Sequence, residues 1–132
     1  MNTMKTAHVA IGMIINAYQQ VLVTWRQLGT HQGGLWEFPG GKLEPGESSY
    51  VALCRELQEE VGIEVLAAEP WAPIKHTYPR YSVLLYPWEV MQFRGQPIAP
   101  QSACLRWVTC STLSSLAFPA ANRKIIVRLM NR

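Results

Sequence analysis

The sequence of 132 residues contains no aspartate, so all nine of its acidic side chains are glutamates. Any chemistry that needs a carboxylate therefore falls to glutamate. Cysteine is also scarce: Cys54, Cys104 and Cys110 are an odd number without C-x-x-C spacing. This number and spacing argue against a disulfide framework and against a zinc site.

Long hydrophobic runs are missing as well. No apolar stretch reaches the ~18 residues that a membrane helix needs. The apolar segment 7–15 lacks the small-residue cleavage site of a signal peptide. We therefore expect a cytoplasmic protein without a membrane partner. Internal repeats and low-complexity tracts are absent, and 48% apolar residues suffice for a core, so residues 1–132 are predicted to form a single domain.

The charges are unevenly distributed along the chain. The net charge is +3, yet seven of the nine glutamates lie between residues 37 and 64, which leaves the remainder basic. This division suits an acidic metal site inside a positive surround that attracts polyphosphate. Ordinary surface charge explains the same division equally well.

The most informative stretch is residues 41–63, GKLEPGESSYVALCRELQEEVGI. Glu56, Glu59 and Glu60 have i, i+3, i+4 spacing, which puts them on one face of a helix. Glu56 and Glu60 repel each other at this spacing, and the helix dipole disfavours anions near a C-terminus. A bound cation removes this cost, and hard carboxylate oxygens favour Mg²⁺ or Mn²⁺. The alternative is a solvated acidic helix face.

The ends and the buried face of this helix also follow from the sequence. Ser48 is a candidate N-cap, and Gly62 suits the C′ position that ends a helix. Apolar side chains recur with helical spacing beside the glutamates. The stripe that we expect to be buried consists of Tyr50, Leu53, Cys54, Leu57 and Val61.

The same stretch resembles a complete Nudix box, with every fixed position of that motif filled. Those positions are Gly41, Glu47, Arg55, Glu56, Leu57, Glu59, Glu60, Gly62 and Ile63. The number of matching positions makes coincidence improbable. Nudix hydrolases cleave nucleoside diphosphates linked to another group, so the resemblance implies an enzyme of that kind.

The order of the predicted elements agrees with this family. Strands, the box helix, further strands and a closing helix over 122–130 predict a mixed β-sheet sandwiched between helices, an α/β/α sandwich. This is the α+β architecture of the Nudix fold. Within it, segments 8–15 and 21–26 are predicted to pair as a hairpin. Segment 81–91 is predicted to form a long strand in which Pro87 occupies an edge or a bulge.

Two further segments resemble the MutT branch, the 8-oxo-dGTP diphosphatases. They are LWEFPGGK at 35–42 and FPAAN at 118–122. In that branch the carbonyl that matches Gly40 is a metal ligand, Lys42 reaches phosphate, and Phe38 lines the base pocket. From the residues alone, a core role for Phe38 is the simpler interpretation.

Three more residues complete the expected substrate site. Arg26 ends a strand where Nudix members often carry an arginine that faces substrate, although spacing alone predicts a solvated side chain. Asn122 matches the asparagine that reads the guanine edge, because a carboxamide offers a donor and an acceptor. The amide can flip to suit another base, and asparagine near a helix start is commonly a cap. Tyr78, which precedes Pro79, is the third residue of the expected substrate site.

The chain departs from the MutT pattern at two places. MutT proteins usually have a metal-holding Glu six residues before the tryptophan that matches Trp107, and this position is Gln101. An amide oxygen can still coordinate a metal, but the site loses one negative charge. Arg80 and Tyr81 replace an acid and a base, so the selectivity for purines could differ.

The resemblance implies a Mg²⁺-dependent nucleoside triphosphate pyrophosphohydrolase, with Mn²⁺ able to substitute. Gly40, Glu56, Glu59 and Glu60 are its expected metal ligands. Glu56 or Glu59 is the expected base, Arg55 holds the glutamates, and Glu47 is an outer partner or a rival base. The expected substrate is 8-oxo-dGTP, hydrolysed to 8-oxo-dGMP and pyrophosphate.

Other functions stay open. They are a broader or pyrimidine-preferring enzyme of the CTP or dCTP type, a non-catalytic nucleotide-binding module, and a nucleic-acid binder. Binding modules of this fold generally lose box glutamates, which this chain keeps. We expect a small-molecule nucleoside triphosphate as partner, no stable nucleic-acid complex, and a monomer or dimer.

Overall fold

The strands divide between two sheets in the computed structural model, which describes residues 5–26, 33–99 and 104–131. In chain order the elements are β1 (Lys5–Ile14), β2 (Gln20–Trp25), β3 (Trp36–Glu37), β4 (Gly40–Lys42), α1 (Ser49–Val61), β5 (Glu64–Pro70), β6 (Ile74–Thr77), β7 (Tyr81–Arg94), β8 (Leu105–Thr109) and α2 (Arg123–Met130). Short 3₁₀ turns at Cys110–Ser115 and Ala120–Asn122 precede α2.

The larger sheet is mixed. Its strand order is β4-β1-β7-β5, and β6 also pairs with β7. β1 and β7 are parallel, from Lys5 opposite Tyr81 to Ile14 opposite Val90, whereas the other pairs are antiparallel. The smaller sheet is antiparallel, in the order β3-β2-β8. The predicted α+β Nudix architecture with a mixed sheet is therefore confirmed.

The predicted hairpin of the first two strands is wrong. β1 and β2 belong to different sheets and are joined only by an isolated bridge between Ile15 and Val21. The second half of β1 and the middle of β2 are buried on both faces: Ala10 and Ile14 of β1 face one core cluster, and Ile11 faces the other. A continuous apolar run predicts such a doubly covered strand, but it does not specify the partner.

Helices cover the larger sheet on both sides. α1 packs so closely on β1 that a Cβ added at Gly12 would lie 3.0 Å from a methyl group of Leu57 and 3.2 Å from one of Leu53. On the other side, α2 packs in the second core cluster through Ile125, Ile126 and Leu129. The sheet therefore lies between the two helices as predicted.

The ends of α1 agree with the prediction, but its buried face is shifted. The Ser48 hydroxyl accepts a hydrogen bond from the amide of Val51 at 3.2 Å, and Gly62 has the left-handed φ of 74°. Tyr50 is 39% exposed and packs its ring against Trp88. Leu53, Leu57 and Val61 are buried as predicted, Cys54 is half-buried, and Ala52 is buried in addition.

Pro87 lies where β7 changes partners. β6 pairs with β7 as far as Leu85, and β5 pairs with it from Trp88 onward. The Pro87 carbonyl accepts a bond from the amide of Trp71 at 2.9 Å, so the missing N–H of proline falls in a gap of the ladder. The predicted edge or bulge at Pro87 is therefore wrong: β7 is an inner strand, and its register with β1 continues through Pro87. The register shifts between β5 and β7 lie on both sides of Ala67.

None of the helices in the described ranges is long and apolar enough to cross a membrane.

Candidate active site

Two adjacent glycines let β4 lie directly against α1 and β1. A Cβ at Gly41 would overlap the carboxyl group of Glu56. A Cβ at Gly40, where φ is 154°, would overlap the carbonyl of Ala10 in β1. Only glycine permits this approach, so the backbone of β4 forms one wall beside the glutamate face of α1.

Arg55 is the centre of the charged network on that face. Its Nε and Nη2 donate to the two carboxylate oxygens of Glu47 at 2.7 and 2.9 Å. Its Nη1 donates to Glu56 at 2.8 Å and to Glu59 at 3.3 Å. Nη2 also donates to the Lys42 carbonyl at 3.0 Å. One guanidinium therefore fixes three box glutamates and β4 relative to one another.

Glu47 is held ionised by this network. The bonds from Arg55, followed by the backbone amide of Glu44, lower the pKa of Glu47 to about 2. The hydrogen bonds to Glu47 and Glu56 raise the pKa of Arg55 above its usual value. A carboxylate with so low a pKa is a weak base. The geometry thus favours the predicted role of Glu47 as partner of Arg55 over its role as a rival base.

Glu60 is in the opposite situation. Burial is the largest cause that raises the pKa of Glu60 to about 7, and repulsion from Glu37 and Glu56 adds to the rise. Gly40 opposes it by donating its amide to a Glu60 oxygen at 3.0 Å. The predicted crowding of negative charge is therefore present, and it extends beyond the helix to Glu37.

Glu37 is a site residue that the sequence analysis missed. Its carboxylate accepts a hydrogen bond from Nε of Arg26 at 3.1 Å. Burial raises the pKa of Glu37, and Arg26 partly offsets the rise. Arg26 therefore has an acidic partner in the cleft and is more than the solvated strand end that spacing predicts. The signal that could have indicated Glu37 is a single charged side chain between the aromatic residues Trp36 and Phe38.

The predicted substrate residues meet around one cleft of about 540 Å³. Its walls include Arg26, Phe38, Gly40, Lys42, Tyr78 and Asn122. Glu37, Gly41 and Tyr81 also line it, above an apolar floor from β1 and β7. Gly40 and Gly41 connect the cleft to the glutamates. The Gly40 amide bonds a Glu60 oxygen, and Gly41 lies against the carboxyl group of Glu56. Gln101 lies outside the described residues.

The end of the cleft away from the glutamates is uncharged and aromatic. Phe38 is 3% exposed and packs against Phe118, so it belongs to the core and to the cleft wall. Tyr78 stacks on Tyr81 with ring centres 5.0 Å apart.

Asn122 lies at this end and is 8% exposed. Its side chain makes no cap bond to α2, which contradicts the alternative that it is merely an N-cap. Within the described part of the chain, its carboxamide has no hydrogen-bond partner. An amide that lines the cleft without a protein partner can pair with a ligand there, so Asn122 is suited to bind one.

The residues fit a divalent cation that is held partly by substrate. Within the described ranges, no three acidic, His or Cys side chains converge closely enough to form a closed metal site. Mg²⁺ at phosphate sites typically uses one or two carboxylates, with waters and substrate phosphates as further ligands. Glu56, Glu59 and Glu60 offer such hard oxygens, and a cation would relieve the repulsion that raises the pKa of Glu60.

Comparisons with known proteins agree with this geometry. A model of the NUDIX domain matches residues 10–128. An 8-oxo-dGTP diphosphatase of Escherichia coli K12 is 33% identical over 126 residues, which cover 96% of this chain and 98% of that protein. A CTP pyrophosphohydrolase of the same organism is 38% identical over 111 residues, which cover 84% of this chain and 81% of that protein.

Solved structures give the same result. A structure from work on MutT of Aliivibrio salmonicida and Vibrio cholerae matches with a TM-score of 0.83 and 32% identity. The match covers 96% of this chain and 98% of the other. Sequence and fold therefore agree on one group of proteins over nearly the whole chain.

Proposed function

Because the chain belongs to the Nudix family, we propose that it is a Mg²⁺-dependent pyrophosphohydrolase that converts 8-oxo-dGTP to 8-oxo-dGMP and pyrophosphate. The observation that carries the proposal is the cleft itself. One of its ends adjoins the box glutamates. The other end contains the carboxamide of Asn122, which does not cap α2. A triphosphate at the first end and a base at the second match this distribution of charge.

The charged end binds the triphosphate. Lys42 and Arg26 line it and offer cationic groups to phosphate oxygens. Glu56, Glu59, Glu60 and the Gly40 carbonyl are the proposed metal ligands, and Mn²⁺ can replace Mg²⁺. The ion supplies charge neutralisation and a lower pKa for the attacking water.

The proton of the attacking water goes to Glu56 or Glu59. Arg55 bonds both carboxylates, which fixes their orientation relative to β4. Glu47 is too weak a base for this step, since its pKa is about 2. The water oxygen bonds to the β-phosphorus, and the bridging oxygen leaves with the α-phosphate. The products are a nucleoside monophosphate and pyrophosphate.

The neutral end selects the base. The carboxamide of Asn122 pairs with guanine O6 and N1–H as acceptor and donor. Its burial strengthens the discrimination, because a base that leaves the amide unpaired incurs a desolvation cost. In the cell, we place this activity in the cytoplasm, where it removes oxidised dGTP before DNA synthesis. It requires no stable nucleic-acid complex and is compatible with a monomer or dimer.

A second candidate is a pyrimidine-preferring enzyme of the CTP type. It is favoured by the similarity to a CTP pyrophosphohydrolase, and by Tyr81, which lines the cleft where the MutT pattern has a different residue. The Asn122 amide can present the opposite edge to cytosine if it flips.

A substrate panel separates these candidates. Pyrophosphate release is measured with and without Mg²⁺ for 8-oxo-dGTP, dGTP, dCTP, CTP and a dinucleoside polyphosphate. We expect the highest kcat/KM for 8-oxo-dGTP and no release in a chelator. A ranking led by CTP or dCTP would replace the proposed substrate with the second candidate. The absence of hydrolysis for every nucleotide, combined with tight binding of one of them, would instead indicate a binding module.

A further inference from the structure

We propose that the hydroxyl of Tyr78 sets the base selectivity of the cleft by positioning Asn122. This inference rests on the proposed function, in which Asn122 contacts the base. Tyr78 is then a positioning residue, and its ring forms part of the cleft wall. The contact that carries the proposal is the hydrogen bond that the Tyr78 hydroxyl accepts from the amide of Ala121 at 3.1 Å.

The tyrosine side of this contact is rigid. Tyr78 lies in the tight connection between β6 and β7, where its amide donates to the Tyr81 carbonyl at 2.7 Å. The Tyr78 ring stacks on Tyr81 with an interplanar angle of 26°, and His76 meets it edge-on with ring centres 4.6 Å apart. Because the backbone and two rings restrict the phenol, its oxygen has a defined position.

The asparagine side depends on that oxygen. Ala121 and Asn122 belong to a single 3₁₀ turn at the start of α2, where backbone amides lack acceptors within the helix. The Asn122 amide bonds the Pro119 carbonyl at 3.0 Å, and the Ala121 amide bonds Tyr78. Tyr78 therefore supplies an acceptor to the residue directly before Asn122, from 43 positions away in the chain.

The Asn122 side chain neither caps α2 nor bonds another group in the described ranges. Its direction therefore depends on the backbone that carries it. Local bonds such as that of the Asn122 amide to the Pro119 carbonyl shape the turn, and the bond between Ala121 and Tyr78 ties the turn to the wall of the cleft. A small rotation of the turn displaces the amide from the base edge without affecting the glutamates.

Tyr78→Phe tests this inference, because it keeps the ring and removes only the hydroxyl. kcat and KM are measured for the best and the worst nucleotide of the panel in the wild type, Tyr78→Phe, Asn122→Ala and the double variant. We expect Tyr78→Phe to raise KM for the best nucleotide about threefold to tenfold, as the loss of one neutral hydrogen bond predicts. We expect this loss to appear in KM more than in kcat, and to be larger for the best nucleotide than for the worst, so that the ratio of their kcat/KM values falls.

The double variant separates positioning from direct contact. If Tyr78 acts only through Asn122, adding Tyr78→Phe to Asn122→Ala has no further effect on selectivity. Tyr86→Phe is the matched control, since it removes a hydroxyl that bonds His8 Nδ1 at 2.9 Å outside the cleft. We expect that control to leave the ratio of kcat/KM values unchanged.

Each outcome decides the inference. Selectivity that survives Tyr78→Phe but not Asn122→Ala would overturn the role of Tyr78 and leave the proposed function intact. Additive effects in the double variant would also overturn it, because they would mean that Tyr78 contacts the nucleotide itself. A wild-type protein that hydrolyses no nucleotide would remove the proposed function and this inference together. Thermal midpoints of all variants exclude unfolding as the cause.

Discussion

Different kinds of interaction hold the residues in place at the two ends of the cleft. At the charged end, Arg55 bonds Glu47, Glu56, Glu59 and the Lys42 carbonyl, all within 13 positions of itself. At the neutral end, the bond between Tyr78 and Ala121 joins residues 43 positions apart, and it involves no charge. One end is a local motif, whereas the other exists only after the whole chain has folded.

This difference has a functional consequence. In the proposed function, the charged end carries out the hydrolysis, and its geometry is fixed mainly by one loop and one helix. The neutral end selects the base in that proposal, and it depends on single uncharged contacts of about 1 kcal/mol each. We therefore expect substitutions at the charged end to abolish turnover, and substitutions at the neutral end to change the substrate ranking.

The largest effect is expected at the box glutamates. Glu56→Gln or Glu59→Gln should lower kcat by about 10² to 10⁴, because each change removes a negative ligand and a candidate proton acceptor. Pyrophosphate release across a Mg²⁺ titration measures the loss. Glu69→Gln, at an exposed position of β5, is the control and should retain full turnover. Near-normal turnover of either box variant would remove that glutamate from the mechanism.

Arg55→Lys tests whether orientation matters at the charged end as well as charge. A lysine cannot bond Glu47 through two nitrogens and also reach Glu56. Losses on the order of 10 to 100-fold in metal affinity or activity are typical for residues that hold metal ligands. Arg94→Lys, at the exposed pair with Glu64, should change neither quantity. An unaltered Mg²⁺ dependence in Arg55→Lys would contradict the network.

The pH dependence of stability tests the crowding around Glu60. Glu60 has a pKa of about 7 in the fold, against 4.5 for an ordinary glutamate. Between these values the folded state holds a proton that the unfolded state has lost, so stability falls as pH rises through this range. The loss due to Glu60 is about 2 to 3 kcal/mol.

Urea unfolding in a chelator, at about pH 5 and about pH 8, measures this loss. Glu60→Gln removes the titrating group, so the difference between the two pH values should shrink in that variant. Added Mg²⁺ should stabilise the wild type more at the higher pH, where Glu60 is ionised. If the wild type and Glu60→Gln responded equally to pH, the carboxylate would not be crowded in solution.

The smallest effect is expected at the neutral end. Asn122→Ala should reduce the preference for 8-oxo-dGTP over the worst substrate by about tenfold, as the loss of a buried hydrogen-bonding group predicts. kcat should change little, because the glutamates are untouched. Asn131→Ala, which removes a bond to the Val127 carbonyl at the end of α2, is the control. An unchanged ranking in Asn122→Ala would leave that residue without a role in base selection.

The same difference between local and distant contacts explains which features could be predicted from the sequence. Helix α1, its cap at Ser48 and its end at Gly62 follow from local spacing and backbone preference, and the structure confirms them. Strand pairing does not follow from local signals. The apolar runs of β1 and β2 indicate burial on both faces, but tertiary packing decides that each strand joins a different sheet.

Site residues divide in the same way. The motif indicated the glutamates and Arg55 because their spacing carries the chemistry. Glu37 was missed, since its role depends on Arg26 and on a burial that a two-residue strand does not reveal. Asn122 and Tyr78 were indicated only by resemblance, and the bond from Ala121 to Tyr78 that links their two segments is visible only in the fold.

We propose that one cleft joins a metal-binding helix face to an asparagine that contacts the base. A crystal structure with Mn²⁺ and a non-hydrolysable nucleoside triphosphate tests this arrangement. We expect anomalous density within bonding distance of Glu56, Glu59 or Glu60, phosphates against that density, and the base edge hydrogen-bonded to Asn122. Manganese bound elsewhere, or a nucleotide bound outside the cleft with the glutamate face empty, would contradict it.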